Sequence, residues 1–157
     1  MVWTGDTFTP GGDVTVQAAD TQIASGAAFN INANTLIMTA SGTLDVDGTL
    51  TITTGSAVLP ANLDNSGTIN LDGAGTMDIE DNLTNTGTID STGAASTINI
   101  TGNWDNSSGT FTAGAGAVIF DKTTGAQTLN AGASSFYDLQ HTQAGTLQLL
   151  TNNLAVT

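Results

Sequence analysis

The sequence predicts an all-β fold, a right-handed parallel β-helix (β-solenoid) with three short strands in each coil of about 20 residues. One pattern occurs three times, at 62–69, 82–89 and 103–111, at intervals of 20 and 21 residues. A weaker copy at 43–50 lies 19 residues upstream of the first. Repeats of this length without helical spacing are typical of solenoids.

Within each copy, polar and apolar residues alternate, as in a strand with one buried face. In the second copy, Leu83 and Ile89 are flanked by polar residues on both sides. The apolar positions of the three copies are therefore predicted to point inward and to form the core: Leu63, Leu83, Trp104, Ile69, Ile89 and Phe111.

Corners separate the strands. Between Gly67 and Thr86 the pattern predicts strands at 68–72, 76–80 and 82–85, which together make one triangular coil. Asn85 tolerates the left-handed backbone region and Gly87 can adopt a positive φ, so we expect these conformations to break the chain direction there. The right hand is expected because parallel crossovers are overwhelmingly right-handed.

The repeat divides the chain. Residues 1–12 do not fit it and are predicted to be an N-terminal cap or lead-in segment. Residues 13–157 are predicted to form the solenoid, most regular over 42–112. A Gly-Thr-apolar signature recurs through the chain, but Gly109 and Gly145 lie 36 residues apart. We therefore expect a longer coil or an extra strand within 113–146.

Composition excludes several function classes. The 157 residues contain 14 acidic side chains and one base, with a net charge of −13, so the chain cannot neutralise nucleic-acid phosphates or bind an anionic membrane surface. No apolar stretch is long enough for membrane insertion. Cysteine is absent, so stability must come from the stacked core.

The chemistry-bearing residues are few. Asp78, Glu80 and Asp81 form the densest acidic cluster and are weak candidates for a cation, although their spacing matches no calcium loop. With Lys122 and His141 as single residues of their types and no arginine, no catalytic residue, resident metal or cofactor is predicted. We expect a protein that is not an enzyme.

Two columns of polar residues recur from coil to coil. Asn65, Asn85 and Asn106 fall at one corner, where stacked amides can hydrogen-bond each other and form a structural ladder. A column of Thr49, Thr68, Thr88 and Thr110 is predicted to face outward. An alternative function is therefore a binding module that uses one flat face for ice or for a surface carbohydrate.

The chain also resembles a known class of repeats. Trp-Thr-Gly near the start, the run from Gly102 to Phe120, Gly-Ala-Gln-Thr-Leu at 125–129 and Phe-Tyr-Asp-Leu at 136–139 resemble the β-solenoid regions of large bacterial surface and adhesin-like (filamentous haemagglutinin-like) proteins. The resemblance covers most of the chain and implies an extracellular or cell-surface location and a structural or adhesive role. It carries over no site residues.

Both ends of the repeat are rich in apolar residues. The sequence still reads as strand up to its last residue, and an uncapped solenoid edge recruits other strands. We therefore expect homo-oligomers that stack head to tail as a filament, or else a stalk segment of a longer protein. The predicted assembly interface consists of Trp3, Phe8, Leu150, Leu154 and Val156.

Overall fold

The computed structural model describes residues 1–150 and 154–157, and these residues form 23 strands and no helix. They accordingly contain no helix long and apolar enough to cross a membrane. In chain order the strands are β1 (Val2–Trp3), β2 (Thr7–Phe8), β3 (Val14–Val16), β4 (Asp20–Ile23), β5 (Ala28–Asn32), β6 (Thr35–Met38), β7 (Thr43–Val46), β8 (Thr49–Ile52), β9 (Ser56–Leu59), β10 (Asn62–Asn65), β11 (Thr68–Leu71), β12 (Thr76–Ile79), β13 (Leu83–Asn85), β14 (Thr88–Ser91), β15 (Thr97–Ile100), β16 (Trp104–Asp105), β17 (Thr110–Ala113), β18 (Ala117–Phe120), β19 (Ala126–Asn130), β20 (Ser135–Phe136), β21 (Asp138–His141), β22 (Thr146–Leu149) and β23 (Ala155–Val156).

From β1 to β20, each strand except β17 pairs in parallel with the third strand after it, so the chain winds through three sheets. Sheet A has the order β1-β4-β7-β10-β13-β16-β19-β22, sheet B β17-β14-β11-β8-β5-β2, and sheet C β21-β18-β15-β12-β9-β6-β3. A fourth, two-stranded sheet contains β20 and β23. This is a β-solenoid of about seven coils with three strands per coil, and the predicted fold class is confirmed.

The repeat copies stack in the register that their sequences predict. Leu63 pairs with Leu44 on one side and with Leu83 on the other, and Leu83 pairs with Trp104. These pairings reproduce the 19-, 20- and 21-residue intervals of the sequence. The three strands predicted for the central coil match β11, β12 and β13 to within one residue at each end.

The core is a continuous column of inward-facing apolar side chains. Along the regular strands, buried positions alternate with partly exposed ones, because successive side chains point to opposite faces of a strand. None of the six predicted core residues is more than 5% exposed: Leu63, Leu83, Trp104, Ile69, Ile89 and Phe111. Trp104 packs edge-on against Phe111, with 5.3 Å between ring centroids.

The expected left-handed conformations at the Asn-Thr-Gly corner are wrong. Among the described residues, positive φ occurs at Asn32 and at four glycines, and neither Asn85 nor Gly87 is one of them. Glycine is required there by close stacking instead. A Cβ atom on Gly87 would lie 2.2 Å from the carbonyl oxygen of Gly67, and one on Gly67 would lie 2.1 Å from that of Gly48.

The two irregular regions both belong to the winding. Residues 1–12 contribute β1 and β2, which pair with β4 and β5 as the first strands of sheets A and B. Over 113–146 each coil keeps three strands, but Trp104 pairs with Leu129, an offset of 25 residues, because the corner at 121–125 is longer. Gly109 precedes a strand of sheet B and Gly145 one of sheet A, which explains their wide separation.

Candidate functional site

The three predicted ladder asparagines form one column of hydrogen bonds inside the solenoid. Asn65 Nδ2 donates to Asn85 Oδ1 at 2.7 Å, and Asn85 Nδ2 donates to Asn106 Oδ1 at 2.5 Å. The same two amides also donate to the backbone oxygens of Thr88 and Thr110. All three side chains are buried, so they join the coils to each other and offer no surface to a ligand.

A second asparagine ladder, which the sequence analysis did not predict, runs along the entry to sheet A. Asn82 donates through its backbone N and its Nδ2 to Asn62 Oδ1, and the backbone N of Asn103 donates to Asn82 Oδ1. The backbone N of Thr128 continues the series by donating to Asn103 Oδ1. The available signal was that Asn62, Asn82 and Asn103 each begin one copy of the repeat.

Sheet B presents the predicted threonine column. Thr49, Thr68, Thr88 and Thr110 pair in register on four neighbouring strands. The parallel column two residues later is mixed, since it contains Thr51, Asn70, Asp90 and Thr112. This face is polar in both columns, but only the first column consists of threonine throughout.

The acidic cluster around Asp78 lies on the outer side of sheet C. Burial raises the pKa of the Asp78 carboxyl, and the charges of Glu80 and Asp121 raise it further. Within residues 1–150 and 154–157, no three His, Asp or Glu side chains are arranged to hold a metal ion, and the set Asp78, Glu80 and Asp81 is therefore not brought together as a cation site.

A second acidic region lines a groove of about 580 Å³ next to β1. Asp45 and Asp64 pair across neighbouring strands on its wall, and Asp20 also lines it. Burial raises the pKa of Asp45, the charges of Asp47 and Asp64 raise it as well, and a hydrogen bond from Gln22 opposes them. Stacked carboxylates of this kind lower the stability of the fold at neutral pH.

The remaining candidates lie apart from one another. Lys122 is partly buried at the long corner, and His141 is exposed at the end of β21. Trp104 lies in the core with no exposed surface, in contact with Phe111, Phe120 and Phe136, so its ring cannot stack on a sugar.

The predicted assembly residues lie in the first coil and the last strands. Trp3 is partly buried against Phe29, at 4.7 Å between ring centroids, whereas Phe8 is 45% exposed. Leu150 and Val156 are exposed, and Leu154 packs partly against the core.

None of the protein-family models, curated proteins or solved structures compared with the chain matches it.

Proposed function

We propose that this chain is a non-enzymatic structural protein, a self-assembling filament subunit or a stalk segment of an extracellular bacterial adhesin. The observation that carries the proposal is the location of exposed apolar side chains. Of the seven large hydrophobic residues exposed in the described part of the chain, six lie in the first coil or the last strands: Met1, Val2, Phe8, Leu149, Leu150 and Val156.

The geometry of the sheets supports stacking along the axis. All strands in a sheet run in the same direction, so the last strands of one copy can continue the parallel pairing with β1, β2 and β3 of the next. Such a contact joins two different surfaces, and it produces an open filament when its rotation does not close. The coils would then continue across the joint at about 4.8 Å spacing.

The charge distribution also favours assembly along the solenoid axis and not side by side. Fourteen acidic residues and one base leave the flanks of the solenoid strongly negative, so that neighbouring rods repel each other side by side. The two end faces carry the exposed apolar residues instead. Attraction at the ends and repulsion at the flanks together favour long, separate filaments. The bacterial and extracellular part of the proposal rests on the sequence resemblance to adhesin-like repeats.

Sedimentation velocity over a concentration series tests the filament. The intact chain should form long assemblies, and Leu150→Lys should release monomers because it places a charge in the apolar end face. Thr84→Lys is the matched control, since Thr84 is exposed on the flank of a central coil and the substitution introduces the same positive charge. An intact chain that stays monomeric at every concentration would exclude the filament and leave the stalk segment, in which the next coil belongs to the same polypeptide.

The threonine column on sheet B favours a second candidate, a binding module for ice or for a carbohydrate. Its test is inhibition of ice growth and retention on immobilised polysaccharide by the intact chain. Thr68→Lys, in the middle of the column, should abolish either activity, and absence of both activities in the intact chain would exclude this candidate.

A further inference from the structure

Sheet B is interrupted between β17 and β20. Every earlier neighbour pair in this sheet is joined by at least two residues in parallel register. The ladder of sheet B ends at β17, and β20 pairs with β23 in a separate sheet. The interruption falls between the sixth coil (β16 to β18) and the seventh coil (β19 to β21).

At this interruption, side-chain contacts connect the sixth and seventh coils, whereas backbone hydrogen bonds connect neighbouring coils elsewhere in sheet B. Ser134 Oγ accepts hydrogen bonds from the backbone N of Phe111 and from Asn106 Nδ2, both at 3.0 Å. Phe136, which has no exposed surface, packs against Phe111 and Trp104 at centroid distances of 5.2 and 5.7 Å. Asn106 Nδ2 also donates to the backbone oxygen of Ala131 at 3.2 Å. The Ser134 hydroxyl, the Asn106 amide and an aromatic contact thus hold the sheet B side together.

The adjoining corner is irregular as well. The chain leaves the stack at 121–125 and returns at Gln127, whose buried Nε2 donates to the backbone oxygens of Ile100 and Gly102, each at 2.6 Å. Gln127 Oε1 is buried and has no hydrogen-bond partner among the described residues. Sheet A continues across the interface with two register pairs, Trp104 with Leu129 and Asp105 with Asn130, and sheet C with four, from Ala117 with Asp138 to Phe120 with His141.

We propose that the interface between the sixth and seventh coils is a joint at which residues 126–149 (β19 to β22) separate from the solenoid as a unit while the central coils stay folded. In a solenoid each coil contacts only its neighbours, so stability is close to a sum of interface terms and the weakest interface opens first. Sheet C has four register pairs across the interface and sheet A has two, so the sheet C side is the hinge. Pulling on this unit would release about 80 Å of extended polypeptide from residues 126–149 before the central coils yield.

Hydrogen exchange of backbone amides, read by mass spectrometry on peptides of the dilute intact chain, tests the joint. We expect peptides from 126–141 to exchange together, at least about tenfold faster than peptides from 43–113. Ser134→Ala should raise their rate about tenfold more, because it leaves the backbone N of Phe111 without its acceptor and removes one of the two hydrogen bonds that Asn106 Nδ2 donates. Ser134→Thr, which keeps the hydroxyl, should restore much of the protection.

Ser66→Ala is the matched control. Ser66 Oγ donates to Asp47 Oδ1 at an exposed corner beside intact backbone pairing, so its loss should leave the exchange of 126–141 unchanged. The joint would be refuted if 126–141 were as protected as 43–113. It would also be refuted if Ser134→Ala accelerated exchange equally in every coil, or if Ser66→Ala acted on 126–141 as strongly as Ser134→Ala.

Discussion

Asn85→Ala removes the central member of the buried asparagine ladder. The substitution eliminates the hydrogen bond that Asn85 accepts from Asn65 and the two that it donates, to Asn106 Oδ1 and to the backbone oxygen of Thr110. Asn65 Nδ2 still donates to the backbone oxygen of Thr88, but Asn106 Oδ1 and the backbone oxygen of Thr110 lose the hydrogen bonds that they accept from Asn85. Leaving a buried polar group unsatisfied costs about 1–3 kcal/mol, so we expect a loss of about 2–5 kcal/mol in the free energy of unfolding.

Thermal unfolding followed by circular dichroism measures this loss. For a domain of this size, the expected change lowers Tm by about 5–15 °C. Thr84→Ala, next in sequence but exposed on the outer face, is the control and should change the free energy of unfolding by less than about 0.5 kcal/mol. If the two variants unfolded at the same temperature, the ladder would contribute nothing to stability and the reasoning would be wrong.

Two further predictions concern the core and the acidic faces. Leu83→Asp should unfold the central coils, because an unpaired buried carboxylate costs several kcal/mol out of a total free energy of unfolding of about 5–15 kcal/mol. Thr84→Asp should leave the melting temperature nearly unchanged. Equal losses of stability in the two variants would contradict the assigned register. The pKa values of Asp45 and Asp78 are raised above the ordinary 3.8 in the folded protein, so these carboxyls take up protons more readily in the folded state than in the unfolded state. The free energy of unfolding should therefore rise as the pH falls from above the folded-state pKa towards 3.8. Tm should therefore increase as the pH falls from 7.5 towards 3.8, and Asp45→Asn or Asp78→Asn should raise Tm at pH 7.5 and flatten this dependence. A Tm that falls throughout this range would exclude destabilising carboxylates.

The repeats made the architecture predictable from the sequence. Alternation marks a strand with one buried face, and the constant offset of Leu63, Leu83 and Trp104 specifies which strands are neighbours. A one-residue shift in register would expose all three residues. Strand positions, the core and the stacking therefore follow from local patterns without knowledge of distant contacts.

The corners were less predictable because one residue type can serve two purposes. Glycine is suited both to a positive φ and to close backbone approach, and the sequence does not distinguish the two. The sequence therefore predicted a positive φ at Gly87, whereas the structure requires glycine there because the neighbouring coil approaches closely. The Gly-Thr-apolar signature likewise marks the start of a strand in any of the three sheets. Gly109 precedes a strand of sheet B and Gly145 a strand of sheet A, so their separation of 36 residues, which suggested a longer coil or an extra strand, is not the length of a single coil.

The second ladder and the joint were harder to predict, because their hydrogen bonds form between coils that are distant in the sequence. Asn62 and Asn82 occur in a chain rich in asparagine, and their side-chain bonds to the next coil exist only because of the stacking. Ser134 is one serine among many, and its role follows from the missing strand pairing beside it. No sequence signal separates it from a surface serine.

Paired cysteines test the stacked register most directly, because the chain has no cysteine of its own. Asn70 and Asp90 pair on neighbouring strands of sheet B, with Cα atoms about 4.8 Å apart, within the range that a disulfide spans. Asn70→Cys with Asp90→Cys should therefore oxidise to an internal disulfide. Asn70→Cys with Thr88→Cys, two residues out of register on the same pair of strands and about 8 Å apart, should remain reduced. Oxidation of the second pair and not of the first would contradict the coil-on-coil register on which the solenoid and its proposed functions depend.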